Sequence, residues 1–224
     1  CNKDFSCLKG FCPSFVTVEG GRLKKGKAAE VAVPQVPVPE VPALPQQRGY
    51  GIVITGVGGT GVVTIGQLLG MAAHLEGRGC SVLDMAGLAQ KGGAVFSHVQ
   101  IAPRPEDLYA TRIAMNESDL VLGCDLITAA SNEALSKIRG GRTKCVLNTA
   151  ESPTAEFVRN PNWTSGAAGM AQQIRDAVGA DANAAGVDAT GLATQLLGDG
   201  IYANPFVLGF AWQKGWIPLA YETL

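Results

Sequence analysis

Three cysteines crowd the first twelve residues as Cys1-x5-Cys7-x4-Cys12, and Pro13 follows the third. The segment around them has little hydrophobic periodicity. It has no core of its own and needs an external organiser, a role that a metal held by three thiolates would fill. Zinc sites favour cysteine pairs two to four residues apart, and neither spacing here is quite that. Iron–sulfur loops tolerate more varied spacing and often end in Cys-Pro, as this one does. Spacing therefore favours a cluster while leaving zinc and purely structural cysteines open. A cluster would need a fourth ligand, expected before residue 1 or elsewhere in a longer chain.

The second stretch with chemical potential is Ile52-Val53-Ile54-Thr55-Gly56-Val57-Gly58-Gly59-Thr60-Gly61. Gly56, Gly58 and Gly61 satisfy G-x-G-x-x-G between a strand-like run and a helical pattern from Val62 to about Glu76, the context that motif requires. Such glycines let the chain reverse tightly off a buried strand and let its backbone approach a ligand or another chain. They also open a helix whose first N–H groups are unpaired. Taken alone, the turn reads as an NAD(P) or FAD site. Asp84, at the end of the next strand, is either the ribose-binding acid or an ordinary strand-end aspartate.

The residues that catalysis would require are missing. No nucleophile–base pair, zinc-ligand helix or Walker lysine accompanies the glycines. His74 falls on the polar side of a helix, and His98 shares a strand face with Gln100, where a satisfied structural histidine is the better reading. Gly198-Asp199-Gly200 matches the start of a thiamine-diphosphate motif, but only Asn204 follows nearby, so it reads as a turn. No catalytic residue is expected in this chain.

The elements that must position these groups begin after a linker. Residues 22–30 are basic and small, a solvated connector, and Val31 to Pro45 carries a proline every two or three residues. That composition forbids helix and favours an extended spacer of roughly 45 Å at ~3.1 Å per residue. The organisation expected is a cysteine segment at 1–21, a linker at 22–48 and a folded domain at 49–224.

From Tyr50 onward strand-like and helix-like segments alternate. This predicts a three-layer α/β/α domain with a mostly parallel, Rossmann-like sheet. The helix after the glycine turn places Val62, Ile65, Leu69 and Ala72 on one face with Leu68 and Leu75 beside it. Gly66 and Gly70 lie within it at a cost of ~1 kcal/mol each against alanine, which implies close packing on the sheet. Further strands are expected at Cys80–Ala86, Val95–Ala102, Asp119–Asp125 and Lys144–Thr149, with a short one near Gly186–Asp188. One helix is expected to run from the end of the Asp119–Asp125 strand to about Lys137, and others around 170–178, 189–198 and 205–214. Strand carboxyl ends, where ligands collect in such sheets, hold the glycine turn, Asp84, Asp125 and Asn148-Thr149.

Composition bounds the remaining classes. The chain has 224 residues, 46% hydrophobic and 17% charged, with a formal net charge of −1. That suits a globular domain with extras and carries no basic stripe for nucleic acid. No apolar run approaches the ~20 residues of a membrane span, and no signal peptide is evident. Cys80, Cys124 and Cys145 sit singly in apolar runs and read as small hydrophobes. A cytoplasmic location is expected, with no disulfide framework. The opening on Cys1 and the stop at Leu224 suggest a segment cut from a longer polypeptide.

Together these residues resemble a known family. Gly56-Val-Gly-Gly-Thr-Gly61, then Met85-Ala-Gly-Leu-Ala-Gln90-Lys91-Gly92-Gly93, then Ser97-His-Val resemble, in that order, the gamma domain of the 2-oxoacid:ferredoxin oxidoreductases. Leu197-Gly-Asp, Asn204-Pro-Phe-Val-Leu-Gly209 and Ile217-Pro218 resemble its closing helices. Residues Cys1 to Gly20 are similar to the cluster-binding segment of the fused indolepyruvate-type enzymes, where a Pro-rich linker and the gamma domain follow. The family commonly has Gln where this chain has Thr60.

The resemblance implies oxidative decarboxylation of an aryl- or branched-chain 2-oxoacid with coenzyme A, giving acyl-CoA, CO2 and two electrons for ferredoxin. Thiamine diphosphate with magnesium would be bound by other domains of the same polypeptide, and the full enzyme would be a homodimer. Cys1, Cys7 and Cys12 would ligate a 4Fe–4S cluster. Gly56, Gly58, Gly59, Gly61, Gln90, Lys91, Gly92 and Gly93 would line the coenzyme A region, with Lys91 offering charge to a phosphate or carboxylate. Two other readings are a nicotinamide or flavin Rossmann domain and a non-catalytic electron-transfer or assembly subunit.

Overall fold

The computed structural model describes residues 19–21, 36–87, 93–151, 160, 162, 164 and 166–224. Cys1, Cys7, Cys12, the basic connector, and Gln90, Lys91 and Gly92 lie outside the described residues.

Six strands form one sheet: β1 Tyr50–Val57, β2 Gly79–Ala86, β3 Ala94–Ala102, β4 Leu120–Gly123, β5 Lys144–Asn148 and β6 Ala184–Val187, in the order β2-β3-β1-β4-β5-β6. β1 is parallel to β4, β4 to β5 and β5 to β6, while β3 runs antiparallel between β1 and β2. Strand β3 alone is reversed, so the sheet is mostly parallel in direction, as expected. Ile52, Val53 and Ile54 are fully buried, as are Leu120, Val121 and Leu122. Strands covered on both faces read as continuous apolar runs, which is how β1 and β4 stand in the sequence.

Two cores flank the sheet. On one face Ile52, Ile54, Val99 and Leu122 meet helix α1 (Val62–Leu75) and the closing segment of Val207, Ala211, Ile217 and Leu219. On the other, Val53, Val121, Cys145 and Leu147 meet Leu126, Ile138, Ile174 and Val178. This is the expected α/β/α sandwich.

Helix α1 buries Val62, Ile65, Leu69 and Ala72 as its periodicity predicts. Gly66 and Gly70 are explained by contact: a Cβ on Gly66 would lie 2.3 Å from Ser97 Oγ, and one on Gly70 2.8 Å from Val82 Cγ2. The helix rides too close to the β2–β3 pair for side chains there. Leu68 and Leu75, expected beside the buried face, are instead exposed, as is Met71. The narrow stripe of glycine and alanine contacting the sheet turns these larger residues outward.

The single helix expected to reach Lys137 is two short ones, α2 Leu126–Ala129 and α3 Asn132–Leu135. Asp125 caps the first by accepting from Thr128 N, and Ser131 caps the second by accepting from Ala134 N. A second serine N-cap six residues on restarts the helix at a new angle. The remaining helices, α4 Ala167–Val178, α5 Ala189–Leu197 and α6 Ala203–Gln213, fall close to their expected places.

Part of the Pro-rich stretch is docked rather than free. Gln213 Nε2 donates to Pro37 O at 2.9 Å, and Leu44 joins the first core. Beyond it, Asp119 fastens the starts of β1 and β4: it accepts both Arg48 guanidinium nitrogens, Arg142 Nε and Gly51 N. Burial pushes this carboxyl up, but those donors outweigh it and hold it below the usual range.

Candidate functional site

The glycine turn leaves β1 at the carboxyl edge of the sheet. A Cβ on Gly56 would sit 2.6 Å from Val62 Cγ2, because α1 starts directly over the strand end. Gly59 and Gly61 have φ of +86° and +95°, the left-handed region open to glycine at little cost. Thr60 closes the turn: its N–H donates to Val57 O at 3.2 Å and its hydroxyl donates to the same oxygen at 2.7 Å. Gly61 is the N-cap of α1 and no side chain caps that helix. Gly59 and Thr60 face solvent.

The second loop named from the sequence meets this turn. Gly58 N donates to Gly93 O at 2.7 Å, so the last residue of that loop is held against the turn. A third element closes on the turn. Asn204, at the start of α6, donates from Nδ2 to Thr60 O at 2.8 Å and lies 3.3 Å from Thr60 Oγ1. Sequence reading missed this residue as part of the site. The sequence offered it only as the first residue of the Asn204–Gly209 closing-helix stretch, with nothing to tie it to the turn.

Apart from Asp84, the other polar groups at the strand ends are engaged in structure. Asp125 is a helix cap. Asn148 is buried and fully used: Nδ2 donates to Cys124 O and Thr190 Oγ1, and Oδ1 accepts from Ala150 N and Ala189 N. Asp199 of the Gly-Asp-Gly turn accepts from Ile201 N. Asp84 is exposed on β2, the strand that β3 separates from β1. None of these forms a nucleophile–base pair.

His98 is fully buried, and its Nδ1 accepts from Ile113 N at 3.3 Å. The proton therefore sits on Nε2, which has no partner among the described residues. Burial, then the nearby Lys137 and Arg112 charges, push its pKa down to about 4. It is a neutral core histidine, not an acid–base group. Ser97, its neighbour, faces the opposite core, where the missing side chain of Gly66 leaves room for its hydroxyl. The Ser-His-Val strand is thus a packing device.

Burial pushes the Cys124 and Cys145 thiols up to about 12, which suits inert core residues. Cys80 donates to Gly70 O. Among the described residues no three histidine, cysteine or acidic side chains are grouped to hold a metal, and no described helix is long and apolar enough to cross a membrane.

Comparison with known proteins gives this geometry a lineage. Indolepyruvate oxidoreductase subunit IorB of Thermococcus kodakarensis is 36% identical over 82 residues, 37% of this chain and 39% of that protein. The protein of the same name in Methanothermobacter thermautotrophicus is 29% identical over 113 residues, 50% of this chain and 54% of that one. The chain thus matches only about two fifths to a half of the length of these relatives. A solved structure, 2-oxoglutarate:ferredoxin oxidoreductase from Magnetococcus marinus with 2-oxoglutarate, coenzyme A and succinyl-CoA bound, superposes with a TM-score of 0.53 at 17% identity. The superposition covers 74% of this chain and 24% of that one, and it is a likeness of fold. The family model described as pyruvate ferredoxin/flavodoxin oxidoreductase matches residues 51–224, the whole sheet and its closing helices, and the chain belongs to that family.

Proposed function

We propose that this chain is a gamma-type segment of a thiamine-diphosphate-dependent 2-oxoacid:ferredoxin oxidoreductase of the indolepyruvate type. The observation that carries this reading is the Gly58–Gly93 hydrogen bond. It ties the glycine turn, whose Gly59 and Thr60 face solvent, to Gly93 at the end of the second family loop, with no acid–base pair among the described residues around it. Such a turn suits contact with a coenzyme or a neighbouring domain better than bond-making by its own side chains. Relatives named for indolepyruvate and a fold neighbour carrying coenzyme A support the substrate class.

The overall reaction converts an aryl- or branched-chain 2-oxoacid and coenzyme A to acyl-CoA and CO2, with one proton released to solvent and two electrons passed to ferredoxin. Thiamine diphosphate supplies the carbanion chemistry when bound. The described residues do not fit it, since Asp199 is spent within its own turn, so that step belongs to other domains of the polypeptide. The role of this chain is positional. Gly56 to Gly61 and Gln90 to Gly93 line the coenzyme A region, and Lys91 neutralises a phosphate or carboxylate there. Cys1, Cys7 and Cys12 offer the thiolate set that a 4Fe–4S cluster takes, short of one ligand. Domains 1–21, 22–48 and 49–224 then serve as electron exit, tether and active-site wall within a homodimeric enzyme.

Two measurements test this reading. The full enzyme should reduce ferredoxin with an aryl 2-oxoacid and coenzyme A, and Lys91→Ala should raise the KM for coenzyme A. An unchanged KM and turnover would remove the loop assignment. Anaerobic purification of a chain extended upstream should give iron, sulfide and an EPR signal on dithionite reduction. Absence of iron would remove the cluster.

A further inference from the structure

The glycine turn does not hold its own shape. Thr60 lies between two left-handed glycines, Gly59 and Gly61. A chain with that freedom on both sides of one residue has many alternative peptide orientations. Within the turn, both the amide and the hydroxyl of Thr60 are directed at one acceptor, Val57 O. Among the described residues, no group within the turn restrains the Thr60 carbonyl. Its partner comes from 144 residues away, where Asn204 Nδ2 donates to it at 2.8 Å.

The surroundings of Asn204 make this restraint firm. The residue is 4% exposed and opens α6, whose Val207, Leu208 and Ala211 are buried against the sheet. Helix α6 therefore acts as a rigid post, and the amide is held out from it to the turn. The Thr60 hydroxyl accepts from the same amide at 3.3 Å while donating to Val57 O. Carbonyl, hydroxyl and strand end are bound in a single clasp. The clasp also gives the Thr60 side chain a use.

We infer that Asn204 is a positioning residue, which fixes the Thr60–Gly61 peptide and so sets how the glycine turn presents its backbone to the ligand. The clasp itself stands on geometry alone. Its consequence for coenzyme A rests on the function proposed above.

The test uses Asn204→Ala, Asn204→Asp and, on the exposed side of the clasp, Thr60→Val. Hydrogen exchange by mass spectrometry should show faster exchange for peptides covering 57–63 in Asn204→Ala, by roughly five- to tenfold for one lost hydrogen bond. Exchange in β4 and β5 should not change. Asn204→Asp should loosen the turn at least as much, because a carboxylate then faces the Thr60 carbonyl. Thr60→Val keeps that carbonyl and should loosen it less. In the full enzyme Asn204→Ala should raise the KM for coenzyme A several-fold with a smaller change in kcat.

Unchanged exchange at 57–63 would overturn the inference, and so would a uniform rise across the whole sheet, which marks general destabilisation. A loosened turn with an unchanged KM for coenzyme A would uphold the clasp and overturn the coenzyme A assignment. If the Asn204 variants fail to fold, Thr60→Val alone decides: its turn must exchange faster than wild type for the clasp to stand.

Discussion

Acidifying the protein from pH 7 to pH 5 should weaken it through one side chain, His98. The imidazole is fully buried, its Nδ1 accepts the Ile113 amide, and its folded pKa is pushed down to about 4. A second proton would have to go on Nδ1, breaking that bond and placing a charge near Lys137 and Arg112. The unfolded chain meets no such penalty and protonates near pH 6.5. Between pH 6.5 and 4 the unfolded state therefore binds more protons, and stability rises with pH. The contribution is complete above pH 6.5 and is lost as the pH falls toward 4. Integrated from pH 7 to 5, the gap is worth roughly 2 kcal/mol, a large share of the 5–15 kcal/mol that holds a typical domain. Most carboxylates are still ionised in this window, so they add little. Urea unfolding followed by circular dichroism at pH 7, 6 and 5 gives the slope. The same series on His98→Gln, whose absolute stability is set aside, should be nearly flat. Equal slopes for the two proteins would refute the buried, neutral histidine.

Three further outcomes follow from packing and hydrogen bonding. Gly66→Ala should lower stability by about 1 kcal/mol, since overpacking against Ser97 Oγ outweighs the helix-propensity gain; adding Ser97→Ala should recover most of it in thermal melts, because that hydroxyl has no described partner. Asn148→Ala should cost about 2–3 kcal/mol by stranding Cys124 O just past β4, Ala150 N just past β5, and Ala189 N and Thr190 Oγ1 on α5 at once; a loss under about 0.5 kcal/mol in urea unfolding would contradict the bracing role. Native alkylation at pH 8 with mass mapping should leave Cys124 and Cys145 unmodified until the chain unfolds, given thiols pushed up to about 12; rapid labelling of either would show that the core is open there.

Much of the sheet was legible from the chain. β1, β4 and β5 are short apolar runs closed by turn residues, and α1 carries its buried stripe at helical spacing. Gly66 and Gly70 announced close packing, and their neighbours Ser97 and Val82 bear this out. The break at Ser131 was missed because an apolar, helix-compatible stretch hides a cap that acts only when the chain turns. The exposure of Leu68 and Leu75 was missed because periodicity gives a face, not its width. In the candidate site, the two glycine loops were visible and their contact was not.

What the sequence determined by itself is local. Glycines at 59 and 61 permit positive φ, aspartate at 125 caps a helix, and alternation sets which side of β3 faces which core. Each is a restraint that one residue imposes on its own backbone or near neighbours. The tertiary structure decided the rest: β3 inserted between β1 and β2, His98 sealed from water, and Asn204 brought to Thr60 across 144 residues. Those outcomes depend on how the whole chain buries its apolar surface, and no single stretch carries that sum. The glycine turn belongs to both lists: the sequence made it possible, and a helix from the far end of the domain holds it in one shape.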